Sequence, residues 1–173
     1  MMPITKYVKI KKDREQNIYR RHPWIFSGAL SGSTEDLQDG DVVQILDYKN
    51  DYLGAGHFHK GSIAVKVLAF KEEALDDQFW AHRFSEALHL RNEIPGLHHE
   101  TNCFRLIHGE GDRLPGLVID VYHDTIVIQC HSIGMHRQIK EIQEALINIW
   151  PGSTLRIVDK SKEPFPSKKK KKI

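Results

Sequence analysis

Arg20-Arg21-His22-Pro23-Trp24-Ile25-Phe26-Ser27-Gly28 brings two adjacent guanidiniums, an imidazole and two large aromatics into one short stretch. Guanidiniums hold phosphates through forked N–H donors, and an indole can stack on a base or fill a core. Large aromatics are mostly buried, so Trp24 and Phe26 are expected in the core, with Arg20 and Arg21 left to contact RNA. A second stretch, Arg105-Leu106-Ile107-His108-Gly109-Glu110-Gly111-Asp112-Arg113-Leu114-Pro115-Gly116, places two carboxylates two positions apart. That spacing is open to acid–base or metal chemistry. The flanking glycines and Pro115-Gly116 mark a loop, however, where an aspartate commonly bonds its own backbone. Nothing nearby supplies a nucleophile or a third ligand, so Glu110 and Asp112 are expected to act structurally.

The remaining reactive residue types form no convergent set. His57-x-His59 would put two rings on one strand face and His98-His99 are adjacent, yet neither pair has a carboxylate or cysteine at a zinc-binding spacing. Cys103 and Cys130 sit in strand-like apolar runs, where a thiol is usually inert, and match no zinc spacing. No glycine-rich turn joins a strand to a helix, and no Gly-Lys-Ser/Thr loop occurs, so dinucleotide, S-adenosylmethionine and nucleotide-phosphate sites are not visible. The sequence therefore assigns no catalytic, cofactor-binding or metal-ligating residue.

These residues must be positioned by 173 residues that are 40% hydrophobic and 28% charged, enough for one ordinary domain or two small ones. No apolar run approaches the roughly 20 residues of a membrane helix, and the N-terminal stretch has no apolar secretory core. With only two cysteines, the expected location is a reducing cytoplasm. The net charge of +2 is unevenly spread: residues 1–30 carry +5, residues 160–173 carry +6, and the rest is acidic. A basic N-terminal edge on an acidic body is compatible with local phosphate contact, though a solvated charged strand would look the same.

The elements follow from hydrophobic period. Tyr7-Val8-Lys9-Ile10-Lys11 alternates as a half-buried strand. The runs Val42–Leu46, Tyr52–Gly56 and Ile63–Leu68, separated by turns at Asp39-Gly40-Asp41 and Asn50-Asp51, predict a small barrel or sandwich. Gly54 and Gly56 fit a bulge or barrel corner. Asp76 is placed to cap a helix with Trp80, Phe84, Ala87 and Leu88 on its apolar face, ended by Pro95-Gly96. Strands are then predicted at Cys103–Ile107, Leu117–Val121 and Ile126–Gln129, with Tyr122-His123-Asp124 as a tight connection. One helix is predicted over residues 135–150, carrying Met135, Ile139, Ile142, Leu146 and Ile149 on one stripe and stopped by Pro151-Gly152. Leu155–Val158 reads as a last strand, and the lysine-rich Ser161–Ile173 as a disordered end. The 60 residues after 99 are too few to bury a good core by themselves.

In this order and separation the two stretches resemble the N-terminal half of the S-adenosylmethionine-dependent bacterial large-subunit ribosomal RNA cytosine-5 methyltransferase family. There a PUA domain comes first, with a stretch similar to Arg21–Gly28; Gly40-Asp41-Val42-Val43 and Leu53-Gly54-x-Gly56 look like its later strands. A helix like 76–94, with an arginine near Arg91, leads to a central domain opening with a stretch similar to Phe104–Tyr122. The resemblance implies an α+β fold: a PUA-like β-barrel over 1–73, a linking helix over 74–98, an incomplete strand-rich central domain with one helix over 99–159, and a basic tail over 160–173. It implies RNA contact at Arg20, Arg21 and His22, with Lys9, Lys11 and Lys12 as weaker phosphate contacts. Glu110, Asp112, Arg113 and Asp120 match the central motif, which implies that they shape the central domain beside the active site.

The family's next domain, which binds S-adenosylmethionine and carries the catalytic residues, has no counterpart in these residues. After Asp159-Lys160-Ser161-Lys162-Glu163 the sequence departs into a lysine tract, and a truncated or frameshifted member is expected. The resemblance thus implies ribosomal RNA as partner, no membrane, S-adenosylmethionine only for the complete family member, and homodimer formation left to that complete protein. The expected role is RNA binding without methyl transfer; the alternatives are a split methyltransferase completed in trans and a stand-alone RNA-binding adaptor.

Overall fold

Alternating apolar residues in the first seventy positions close into a barrel because one side of each short strand must leave water. The computed structural model describes residues 6–95, 100–150 and 156–161. Strands β1 (Tyr7–Ile10), β2 (Trp24–Phe26), β3 (Leu30–Ser31), β4 (Val42–Leu46), β5 (Tyr52–Phe58) and β6 (Ile63–Ala69) form one sheet in the order β2-β6-β5-β4-β1-β3. The sheet curls into a nearly closed barrel, with the short helix α1 (Gln16–Tyr19) between β1 and β2. β1 runs parallel to β4, with Val8 opposite Ile45, while β4, β5 and β6 form an antiparallel meander. Val8, Ile10, Ile25, Val43, Ile45, Val65 and Val67 fill the interior. A side chain at Gly54 would strike the Ala69 carbonyl and one at Gly56 the Lys66 carbonyl, and the β5–β6 register shifts between Ala55 and Gly56. The two glycines are thus the barrel corner their spacing predicted.

Helix α2 (Asp77–Asn92) follows, and the Asp76 carboxylate caps it by accepting the N–H groups of Gln78 and Phe79, each at 3.1 Å. Phe79, Trp80, Phe84 and Ala87 are buried, and Arg83 is buried among them, its guanidinium over the Phe79 ring and paired with Glu73. The helix ends before Pro95; Gly96 and His98-His99 lie outside the described residues.

The second sheet contains β7 (Cys103–His108), β8 (Leu117–Tyr122), β9 (Thr125–Cys130) and β10 (Arg156–Asp159), in the order β10-β9-β8-β7. β7, β8 and β9 are antiparallel neighbours, turned between β8 and β9 at His123 in a left-handed conformation; β10 is parallel to β9. The single helix predicted over 135–150 is two: α3 (Ile133–Arg137), capped by the Ser132 hydroxyl, and α4 (Ile139–Ile149). Gln138 leaves helical geometry at φ −100° and ψ 18°, so the apolar stripe is continuous in sequence while the axis breaks. Pro151-Gly152 and the basic tail beyond Ser161 lie outside the described residues.

The second half does not bury its core alone. Leu106, Ile119, Ile126 and Ile128 pack with Trp80 and Phe84 of α2, with Met135 and Ile142, and with Ala55, Leu68 and Ala69 from the barrel wall. Each fully buried aliphatic side chain of this kind is worth roughly 1.5–3 kcal/mol, so α2 and the barrel supply what sixty residues lack. Among the described residues, no helix is long and apolar enough to cross a membrane.

Candidate nucleic-acid interface

Strand direction gathers the basic residues at one end of the barrel. Because β1 and β4 are parallel, Lys11-Lys12 and Asp47–Lys49 leave the barrel together. The antiparallel pairings of β5, β6 and β2 place the start of β2 at that end, and with it α1 and the loop Arg20–His22. Ile18 anchors α1 in the barrel core. The loop is tied to that helix: Arg21 N–H donates to the Ile18 carbonyl and His22 N–H to the Asn17 carbonyl, both at 2.8 Å. Arg21 adopts a left-handed backbone at φ 56°. Arg20 and Arg21 are both exposed, and neither guanidinium meets a carboxylate among the described residues. His22 is held by its neighbour, its Nδ1 accepting the Trp24 N–H at 3.2 Å with the rings edge-on at 5.9 Å.

The lysines are engaged differently. Lys11 donates to the Gly28 carbonyl at 3.0 Å, tying β1 to the segment after β2. Lys9 stands over the Tyr7 ring at 5.8 Å and Lys12 over the Tyr48 ring at 5.9 Å. Tyr48 and its neighbour Lys49 had no motif to mark them in the sequence; only the parallel β1–β4 register brings Lys12 to them.

Trp24 and Phe26 are not the core residues expected. β2 is three residues long and turns Ile25, 3% exposed, into the barrel; its neighbours must then face outward. Phe26 is 45% exposed, and Trp24 is half-buried with its indole Nε1 donating to Glu110 at 2.9 Å. That bond joins the two chemically suggestive stretches across 86 positions.

The second stretch is a 3-10 turn, Gly109–Asp112, between β7 and β8, and its charged side chains tie it to the barrel and to α2. Glu110 takes Trp24 of the barrel. Asp112 accepts the His108 N–H at 2.6 Å and Arg91 of α2 at 2.7 Å, while Arg91 also donates to the Arg105 carbonyl. Arg113 pairs with Glu86 of α2 at 3.0 Å; partial burial acts to raise the Glu86 pKa, but Arg113, Arg83 and His82 hold it below the ordinary value. Asp120 takes Arg105 through both oxygens, at 2.8 and 3.1 Å, and this hydrogen bonding raises the arginine's pKa. Glu110 and Asp112 thus serve separate partners and do not face a common reacting atom.

A polar seam continues this junction. Buried His57 reaches Gln138 at 2.6 Å, and Gly134 backs directly onto its ring, leaving no room for a side chain. Burial pushes the His57 pKa down to about 4. Asp41 binds Lys6 at 2.6 Å and Arg137 at 3.2 Å; burial opposes its ionisation, but these cations and the Gln38 N–H keep its pKa low. His59 instead pairs with Asp39, so the two rings of His57-x-His59 have separate partners. Among the described residues no group of histidine, cysteine, aspartate and glutamate is arranged to hold a metal. Cys103 lies in a strand as expected but is exposed at the start of β7, whereas burial pushes the Cys130 thiol up to about 11.

Residues 8–70 match the family model of a PUA-like domain. Ribosomal RNA large subunit methyltransferase I of Alteromonas mediterranea is 34% identical over 150 residues, which are 86% of this chain and 38% of the relative. The protein of the same name from Pseudoalteromonas atlantica is 36% identical over 145 residues, 83% of this chain and 36% of the relative. The chain carries the PUA-containing N-terminal region of this methyltransferase family. It spans well under half the length of the curated relatives it matches. A solved structure from Streptococcus mutans, assigned as a SAM-dependent methyltransferase, shares the fold with a TM-score of 0.76 at 20% identity, over 91% of this chain and 41% of that one.

Proposed function

We propose that this chain is the RNA-binding portion of an S-adenosylmethionine-dependent methyltransferase acting on cytosine C5 of large-subunit ribosomal RNA in the cytoplasm. In this reading residues 1–73 bind RNA, 74–98 link, and 99–159 belong to the central domain, where Glu110 ties the motif to the barrel, Asp112 and Arg113 tie it to α2, and Asp120 ties β8 to β7. What carries it is the pair of guanidiniums, Arg20 and Arg21, that meet no carboxylate among the described residues and lie exposed on a PUA-like domain whose relatives are named as ribosomal RNA methyltransferases. His22 adds a donor or acceptor, and Lys9, Lys11 and Lys12 add positive charge.

The residues described do not fit S-adenosylmethionine. The strand-to-helix junctions β6–α2 (Phe70–Asp76) and β9–α3 (His131-Ser132) contain no glycine, so no phosphate- or adenosine-cradling turn forms at either. In this reading methyl transfer belongs to the domain that the family places next.

Each arginine that neutralises a phosphate releases counterions on binding, so Arg20→Ala or Arg21→Ala should reduce the slope of log affinity against log salt by about 0.7–0.9. Titrating a labelled ribosomal RNA fragment at several salt concentrations measures it. Unchanged slope and affinity in both variants would move the interface elsewhere. S-adenosylmethionine should leave the melting temperature of this chain unchanged, because only a ligand of the folded state raises it.

A further inference from the structure

Tyr48 stands at the β4–β5 turn and is 45% exposed, so its ring contributes little to the core. Its backbone is nevertheless tightly held. The buried Asp47 carboxylate accepts the N–H groups of Lys49 at 2.7 Å and Asp51 at 2.8 Å, and Asp47 N–H donates to the Asp51 carbonyl at 2.9 Å. Asn50 completes the turn in a left-handed conformation at φ 76°. A turn tied in this way presents its aromatic in advance and lowers the ordering cost of binding. Two ammoniums stand over the ring, Lys12 at 5.9 Å and Lys49 at 5.5 Å from its centroid, one from each of the parallel strands' ends, and a stacking base would move one of them aside toward its phosphates. An exposed, preset aromatic between two cations matches the demands of a single-stranded nucleotide: a π-face for the base and positive charge for the phosphates on either side.

We propose that Tyr48, with Lys12 and Lys49, is a stacking subsite for an unpaired base of the bound RNA. The inference rests on the RNA-binding reading above and adds a substrate class to it. Arg20 and Arg21 contact phosphates, which paired and unpaired RNA both offer, whereas a base must leave its helix to lie on Tyr48. The subsite tolerates any base, since every base has a π-face.

The test uses the full chain and two RNAs of equal length, a stem–loop with 2-aminopurine in its loop and a blunt duplex. Wild type should bind the stem–loop more tightly and change the 2-aminopurine fluorescence on binding. Tyr48→Ala should weaken stem–loop binding about 5- to 100-fold and abolish that fluorescence change, while duplex affinity and the melting temperature stay as they were. Tyr48→Phe, which keeps the π-face, should bind like wild type. Stem–loop affinity unchanged in Tyr48→Ala, or an equal loss on both RNAs, overturns the subsite and leaves the arginine interface standing. Failure of wild type to bind either RNA overturns the RNA-binding reading itself, and the subsite with it.

Discussion

At the end of the barrel Arg20 and Arg21 face solvent with no carboxylate near them among the described residues, whereas the Gly109–Arg113 turn matches each of its charges to a partner: Glu110 to Trp24, Asp112 to Arg91, Arg113 to Glu86. Both regions are rich in the same residue types. The difference is what each group still has to offer once the chain has folded. A charge whose hydrogen bonds are satisfied within the protein fixes one element against another; one left in water is available to a ligand. Charge density alone therefore does not separate a surface open to a ligand from a structural hub; the pairing does.

The comparison breaks most visibly at Asp112. Replacing it with alanine removes the acceptor of the His108 N–H and leaves the largely enclosed Arg91 without its carboxylate. The expected cost is about 3–4 kcal/mol, read as a lower urea midpoint at unchanged slope. A loss below about 1 kcal/mol would put this turn in the same class as the barrel end.

The seam behind the turn should respond to pH with nearly the same magnitude. His57 titrates at about 4 when folded because burial disfavours its charge, against about 6.5 when unfolded. Between those values the unfolded chain binds the extra proton, so the stability His57 contributes is complete above pH 6.5 and is lost as pH falls toward 4. The total is about 3 kcal/mol. Urea melts from pH 7 to pH 4 measure it, and a flat profile would place His57 in contact with water.

Smaller effects separate the regions further. Trp24→Phe removes only the indole donor to Glu110, at a partly exposed site, and should cost about 1 kcal/mol. Glu110→Gln, which keeps an acceptor, should cost less in the same melts. Arg20→Ala and Arg21→Ala should change stability by no more than about 0.5 kcal/mol while still lowering the salt slope of RNA binding. If either destabilises the fold as Asp112→Ala does, the barrel end is also a structural contact.

Much of the architecture was legible because it depends on local pattern. The two-residue period of β1 and β4, the Asp76 cap, the glycine corner at 54 and 56, and the turn at His123 all lie where neighbouring residues alone require them. The continuous stripe from Met135 to Ile149 did not reveal the break at Gln138, because a periodic pattern reports which face is apolar and not whether the axis is straight. Trp24 and Phe26 were misplaced for a related reason: burial habits are averages over residue types, and on a three-residue strand the position of Ile25 decides which side faces in.

By itself the sequence determined most of the longer elements, their order and the inventory of charges, since propensity, period and turn chemistry act within a few residues. The tertiary structure decided which charges are spent. Trp24 meets Glu110 across 86 positions, Lys12 reaches Tyr48 through the parallel pairing of β1 and β4, and Arg20 and Arg21 meet no carboxylate among the described residues. Hydrogen bonds and ion pairs act over a few ångströms, and only the nearly closed barrel packed on α2 and the second sheet sets those distances.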